Sequence, residues 1–266
     1  VKPHAWTLVA ALSLSLLAAA CIPQRTPPQD LDKVTVDGRP ILRVGVDETF
    51  IPFTQPGADG KTPVGFEIDL MKDIAAKSGM EVTFVPSNHN QILAFVSQCQ
   101  LDAGLSGVPI SDPLAASMSF SDPYYTTGQV VLVKQGNLLI QGKDDLSGMK
   151  VGTQDGTPSE AELEQISGVD IRDYGTYELA VEDLINGYID AVVIDYPRAL
   201  AYLAVARNNL KIAGDEFGRV EYGIAVCTQR ADLLEPFNTA LADAVSSGRL
   251  DRLVKKWGIQ ERPAAR

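Results

Sequence analysis

Three aspartates stand where runs of strand character stop: Asp47 after ILRVGV, Asp155 after KVGTQ and Asp195 at the end of AVVID. A further run, LDAGLS, alternates Leu101, Ala103 and Leu105 with Asp102, Gly104 and Ser106, the pattern of a half-buried strand. It opens into GVPISDPL (107–114), a loop punctuated by Gly and two prolines. Ligands often bind outside the carboxyl ends of strands, so these ends are where a site is expected. Few other chemistries are on offer. The only histidines are His4 and His89 and there is no C-x-x-C, which excludes a His-rich metal site; no metal or cofactor is expected. A Ser-His-Asp hydrolase would have to use His89, and no G-x-S-x-G elbow accompanies it, so no catalytic residue is assigned.

The elements that must carry these positions follow an α/β order. Residues 41–46 read as a strand, and GFEIDLMKDIAAKSG as a helix with Phe66, Leu70, Ile74 and Ala75 on one face and Gly79 as its stop. The strand EVTFV, a helix over 91–98 and the strand LDAGLSG come next. The second half repeats the scheme: KVGTQ and a turn into a helix, the strand GVDIRDYG, a helix over 177–186, the buried strand AVVID and a helix over 198–207. QVVLVK (129–134) and YGIAVC (222–227) are apolar runs without a βα partner, which suggests two lobes joined by strand-like crossovers. The tail reads as an amphipathic helix, a break at Gly248 and a second helix whose Trp257 belongs to the core.

Composition narrows the class. The 266 residues are 45% hydrophobic with a formal charge of −11, enough for one large or two modest cores. That charge argues against nucleic acid and against a polybasic membrane-surface role. At the start, about 16 uncharged apolar or small residues lead into Ala18-Ala19-Ala20-Cys21, short of the roughly 20 a membrane span needs. The segment resembles a bacterial lipoprotein signal: residues 1–20 as signal peptide, Cys21 as the lipidated residue, and 21–40 as a Pro-rich tether. Cys99 and Cys227 then remain, and sequence leaves open whether they pair or stay as buried thiols.

LRVGVDETFIPF, VGFEIDLMKDIA, LDAGLSGVPIS, FSDPYYTTGQVVLVK, KVGTQDGT, LINGYIDAVVID and SSGRLDRLVKKWG, in that order, resemble the family-3 extracellular solute-binding proteins, the amino-acid receptors of bacterial ABC importers. The resemblance covers about residues 41–260 and implies a two-lobed periplasmic-binding-protein (type II) fold that closes on a small ligand. Lobe 1 would comprise 41–128 plus 228–262 and lobe 2 135–221, with 129–134 and 222–227 as hinge strands. It further implies a monomer outside the cytoplasm, lipid-anchored to the cell membrane beside a permease. A cyclohexadienyl-dehydratase-like enzyme and a ligand-sensing partner of another membrane protein are the alternative readings.

Site residues follow from the same resemblance. Asp195 takes the position that meets the ligand's ammonium, unless it only caps the following Tyr196-Pro197 helix. Phe50 fills an aromatic position, with Phe53 in the core, and His89 stands where relatives commonly carry Trp, as cleft wall or surface residue. Asp47 reaches the ligand's distal group or serves a turn. Ser106, Gly107 and Pro109 flank the ligand from lobe 1, Gln154 and Thr157 from lobe 2. The carboxylate clamp departs from the pattern. In a gap-free comparison Pro109 replaces a Ser/Thr donor, Leu114 replaces an Arg, and Pro158 removes an amide from the GTT-like turn. Unless Arg172 or Arg198 enters the cleft, no α-carboxylate is bound in the usual way, and among amino acids and related small nitrogenous solutes a cationic or amine-bearing ligand without a carboxylate is favoured.

Overall fold

The computed structural model describes residues 35–110, 116–206 and 209–259. The leader, Cys21, most of the tether and Leu114 lie outside the described residues. Strand β1 (Thr35–Val36) pairs with the start of β2 (Arg39–Val46), so the expected tether already joins the first sheet before residue 40. A small hairpin, β3 (Gln55–Pro56) and β4 (Pro63–Val64), leads to α1 (Phe66–Lys77), then β5 (Glu81–Pro86), α2 (His89–Ser97), β6 (Ala103–Gly104) and β7 (Met118–Phe120). Helix α1 buries Phe66, Ile68, Leu70, Met71 and Ile74, and its first-turn acids suit the positive helix end. Asn88 and Gln91 close a reciprocal capping box at the start of α2.

The chain then builds a second sheet from β8 (Tyr125–Lys134), β9 (Lys150–Gln154), β10 (Asp170–Tyr174), β11 (Ala191–Asp195) and β12 (Leu210–Tyr222), in the order β10-β9-β11-β8-β12. Helices α3 (Pro158–Glu164), α4 (Tyr177–Asn186) and α5 (Tyr196–Val205) connect these strands. The chain returns through β13 (Ala225–Cys227), between β6 and β7 of the first sheet, and ends in α6 (Leu234–Ser246) and α7 (Arg249–Lys256). Each sheet has apolar clusters of its own, built on Phe53, Phe66 and Phe237 in one lobe and on Val130–Val133 and Val192–Ile194 in the other. Trp257 packs against the first of these while its indole N–H donates to Asp69 at 2.8 Å.

Strand pairing corrects the expected hinge. Residues 129–134 pair with β11 on one side and β12 on the other, in the middle of the second sheet. The 222–227 run splits: Tyr222 ends β12, and 225–227 belongs to the first sheet. The chain therefore passes between the sheets at about 121–124 and 222–224, where the two passes bond to each other through Ser121 N to Ile224 O (3.0 Å) and Tyr124 N to Tyr222 O (2.9 Å). An apolar run reveals burial, and only pairing shows which sheet buries it.

Cys99 and Cys227 form a disulfide, with Cα atoms 5.1 Å apart. It joins the end of α2 to β13 within lobe 1 and does not span the cleft. Asp102, fully buried beside it, accepts from Arg230 Nη1 (2.6 Å) and the Arg43 amide (2.7 Å).

Candidate functional site

The first-lobe wall is built around a buried carboxylate. Glu67, at the start of α1, accepts from the amides of Ser106 and Gly107 (both 2.9 Å), from Thr54 Oγ1 (3.0 Å) and from the Tyr124 hydroxyl. These bonds hold Ser106 at φ 90°, a conformation that a non-glycine residue rarely adopts. Gly107 follows at φ 65°, and a Cβ there would lie 2.6 Å from the Phe50 ring, so the position requires glycine. The Ser106 hydroxyl in turn accepts from the Asp47 amide at 2.6 Å. The loop after β6 runs along the second crossover, with Ile110 N bonded to Glu221 O and Gly223 N to Val108 O.

From the second lobe comes Asp195, the last residue of β11 and N-cap of α5. Its carboxylate makes no cap hydrogen bond. It accepts instead from the Tyr222 hydroxyl at 2.6 Å and pairs with Arg198 Nε at 3.4 Å. Arg198, one turn along α5, lays its guanidinium 4.3 Å above the Phe50 ring centre and donates from Nη2 to the Ser106 carbonyl (3.2 Å), joining the two lobes. Burial raises the pKa of Asp195, with Arg198 and Tyr222 opposing. Burial works against the charge of Arg198, but Asp195 and then Asp47 outweigh it and keep the side chain cationic.

Two connected spaces open around this pair. The inner one is narrow, about 20 Å³, and is lined by His89, Gly107, Pro109, Gln154, Thr157, Asp195, Arg198 and Tyr222, among others. The outer one, about 380 Å³, is bounded by Asp47, Asn88, His89, Gln91, Gln154, Glu178 and Arg198. The outer one falls in the range of roughly 300–1,000 Å³ usual for small-molecule sites. A wall of buried charge, a few aromatic faces and amide side chains from two lobes can enclose a small polar solute. Among the described residues no cluster of His, Cys, Asp and Glu could hold a metal.

Residues 42–260 match the family model described as bacterial extracellular solute-binding proteins, family 3. The chain belongs to this family. The L-cystine-binding protein TcyJ of Escherichia coli (strain K12) is 34% identical over 252 residues, 94% of each chain. The ABC transporter arginine-binding protein 1 of the same strain is 30% identical, across 81% of this chain and 90% of its own. Among solved structures, an ancestral arginine-binding protein bound to arginine shares 38% identity with a TM-score of 0.75, covering 82% of this chain and 98% of that one. The solved relative shares the two-lobed α/β architecture.

Within this family member the structure brings most of the expected positions to the cleft. Asp47, His89, Gly107, Pro109, Gln154, Thr157 and Asp195 line one or both spaces. Ser106 stands one layer back, and Phe50, stacked on the core residue Phe53 (4.6 Å between ring centres), lies under the Arg198 guanidinium. His89 is buried at the start of α2 as cleft wall. Arg172 pairs with Asp170 on the surface, while Arg198 enters the cleft. Tyr177, Gln129 and Ser159, hydrogen-bonded together beside Thr157, are cleft residues that no sequence signal marked.

The buried imidazole gives a pH dependence. Burial, then Arg198, pushes His89 down to about 4, whereas an unfolded histidine titrates near 6.5. Between those values the unfolded chain binds a proton that the folded chain does not, so stability falls as pH drops from about 6.5 towards 4. The loss expected at pH 5 relative to pH 8 is about 2 kcal/mol. Urea titrations of wild type and His89→Asn at both pH values check it: the variant should show a smaller difference, and an equal difference would refute the assignment.

Proposed function

We propose that this chain is the substrate receptor of an ABC importer for an amino acid, held outside the cytoplasm by lipid on Cys21 and working as a monomer that delivers its cargo to a membrane permease. It binds and does not transform its ligand. Closure is driven by differential affinity: a ligand touching both lobes favours the form in which both contacts exist. The observation that carries the reading is Asp195, a buried carboxylate at the meeting of the lobes that spends nothing on its helix cap. An α-ammonium is its natural partner.

Conventional donors for the ligand's carboxylate are lost from both loops, although Thr157 remains in the second. Pro109 and Pro158 have no N–H to offer, and the Gly156 amide already donates to Glu160 at 2.7 Å. An α-carboxylate, where the ligand carries one, is therefore not bound in the way usual for the family. The relatives bind cystine and arginine, which makes these the first compounds to test. Stabilisation by about 2.7 kcal/mol is expected at a hundredfold excess over Kd. Thermal unfolding against the standard amino acids, L-cystine and their amines checks this, with native mass spectrometry of the protein as purified. No shift with any of them would refute the receptor reading, and turnover of a bound compound would move the chain to the enzyme class.

A further inference from the structure

Arg198 and Asp195 face the cleft as neighbours one helical turn apart, both with 11% side-chain exposure. Two of the five guanidinium N–H groups serve Asp195 and the Ser106 carbonyl, and the side chain borders both the inner and the outer space. An empty cleft thus presents an ion pair and not a lone carboxylate. A ligand bringing only an ammonium would have to take Asp195 from Arg198 and leave a desolvated guanidinium with the Ser106 carbonyl and the more distant Asp47. Removing one partner of a buried pair is strongly unfavourable. A ligand bringing both charges exchanges one ion pair for two, and the planar fork of arginine matches a carboxylate.

Resting on the amino-acid receptor reading, we propose that Arg198 is the specificity-determining residue of the cleft: it binds the ligand's α-carboxylate from lobe 2, replacing the missing lobe-1 clamp, and so selects zwitterionic heads over simple amines. Asp195 and Arg198 then hold the ammonium and the carboxylate of one head group. Phe50 supports the guanidinium from below and has no contact with the ligand itself. The preference for a carboxylate is written into α5 by one side chain, three positions after the ammonium site.

The test is a set of calorimetric titrations with matched pairs: L-arginine and agmatine, L-histidine and histamine, L-cystine and cystamine. Wild type should prefer the amino acid of whichever pair it binds by roughly 100-fold. In Arg198→Leu and Arg198→Gln the preference should shrink to less than about threefold, with the amine binding tighter than in wild type because Asp195 is freed. Circular dichroism establishes that each variant folds. A wild-type ratio near one overturns the proposal even if neither variant folds. A preference unchanged in a folded variant also overturns it and leaves the receptor reading standing. Wild type that binds neither member of any pair nor any standard amino acid refutes the receptor reading itself, and the proposal with it.

Discussion

Asp195→Asn weakens binding of the cognate amino acid by roughly 100-fold or more, the largest effect expected of any single cleft substitution. The amide keeps the shape and can still accept from Tyr222, so the hydrogen bond at 2.6 Å has a replacement. What vanishes is the negative charge, and with it the partner of both the ligand's ammonium and Arg198. In a buried cleft neither cation finds equivalent compensation, since water is excluded on closure. The ligand-free protein loses less, because Arg198 retains the Ser106 carbonyl and the Phe50 face. Isothermal titration with the amino acid that stabilises wild type, beside a thermal melt of the empty variant, separates the two effects. Unchanged affinity would remove Asp195 from the ammonium site; a collapse of the melt would assign it to the fold.

The contrast between Asp195 and Arg198 shows what a sequence discloses. Asp195 ends a five-residue strand whose other four residues are apolar, so its place at a strand's carboxyl edge is legible from local pattern alone. Arg198 sits in a helix that reads as ordinary amphipathic chain, and a single charged position in a first turn carries no sign of facing a cleft. Only the crossing of the lobes turns it inward. Strand β12 was missed for a related reason. It is an edge strand paired to β8 alone, and its sequence LKIAGDEFGRVEY alternates poorly because its register is interrupted between Ala213 and Arg219. The Cys99–Cys227 bond, which spans 128 residues, and the true crossover points are questions of long-range pairing, on which periodicity is silent. The α/β order and the core helices are local and readable; of the three aspartates at strand ends, Asp47 and Asp195 line the spaces, whereas Asp155 is exposed and lines neither.

Glu67 carries the second large effect, through geometry and not through contact with the ligand. Its two oxygens receive four donors, so the carboxylate has no spare acceptor position and no room for a donor. Burial pushes its pKa up, while Tyr124, the Gly107 amide, Thr54 and the Ser106 amide all pull it down. In Glu67→Gln one oxygen becomes an NH₂ group, which must face either the Ser106 or the Gly107 amide. Hydroxyls can rotate to accept; an amide N–H cannot. One buried N–H is left unmatched and a bond to a charged group is lost, a destabilisation of about 3 kcal/mol. The strain at Ser106 is then no longer opposed, and its carbonyl and hydroxyl are the seats of Arg198 and of the Asp47 amide. Affinity should therefore fall about tenfold together with stability. Asp73→Asn, on the same helix as Glu67, is the control, because it breaks a half-exposed pair with Arg249 of α7 and touches no cleft residue. Urea unfolding and titration of both variants decide the matter. If Glu67→Gln matches the control in stability and in affinity, the wall of the cleft is held by something other than this carboxylate.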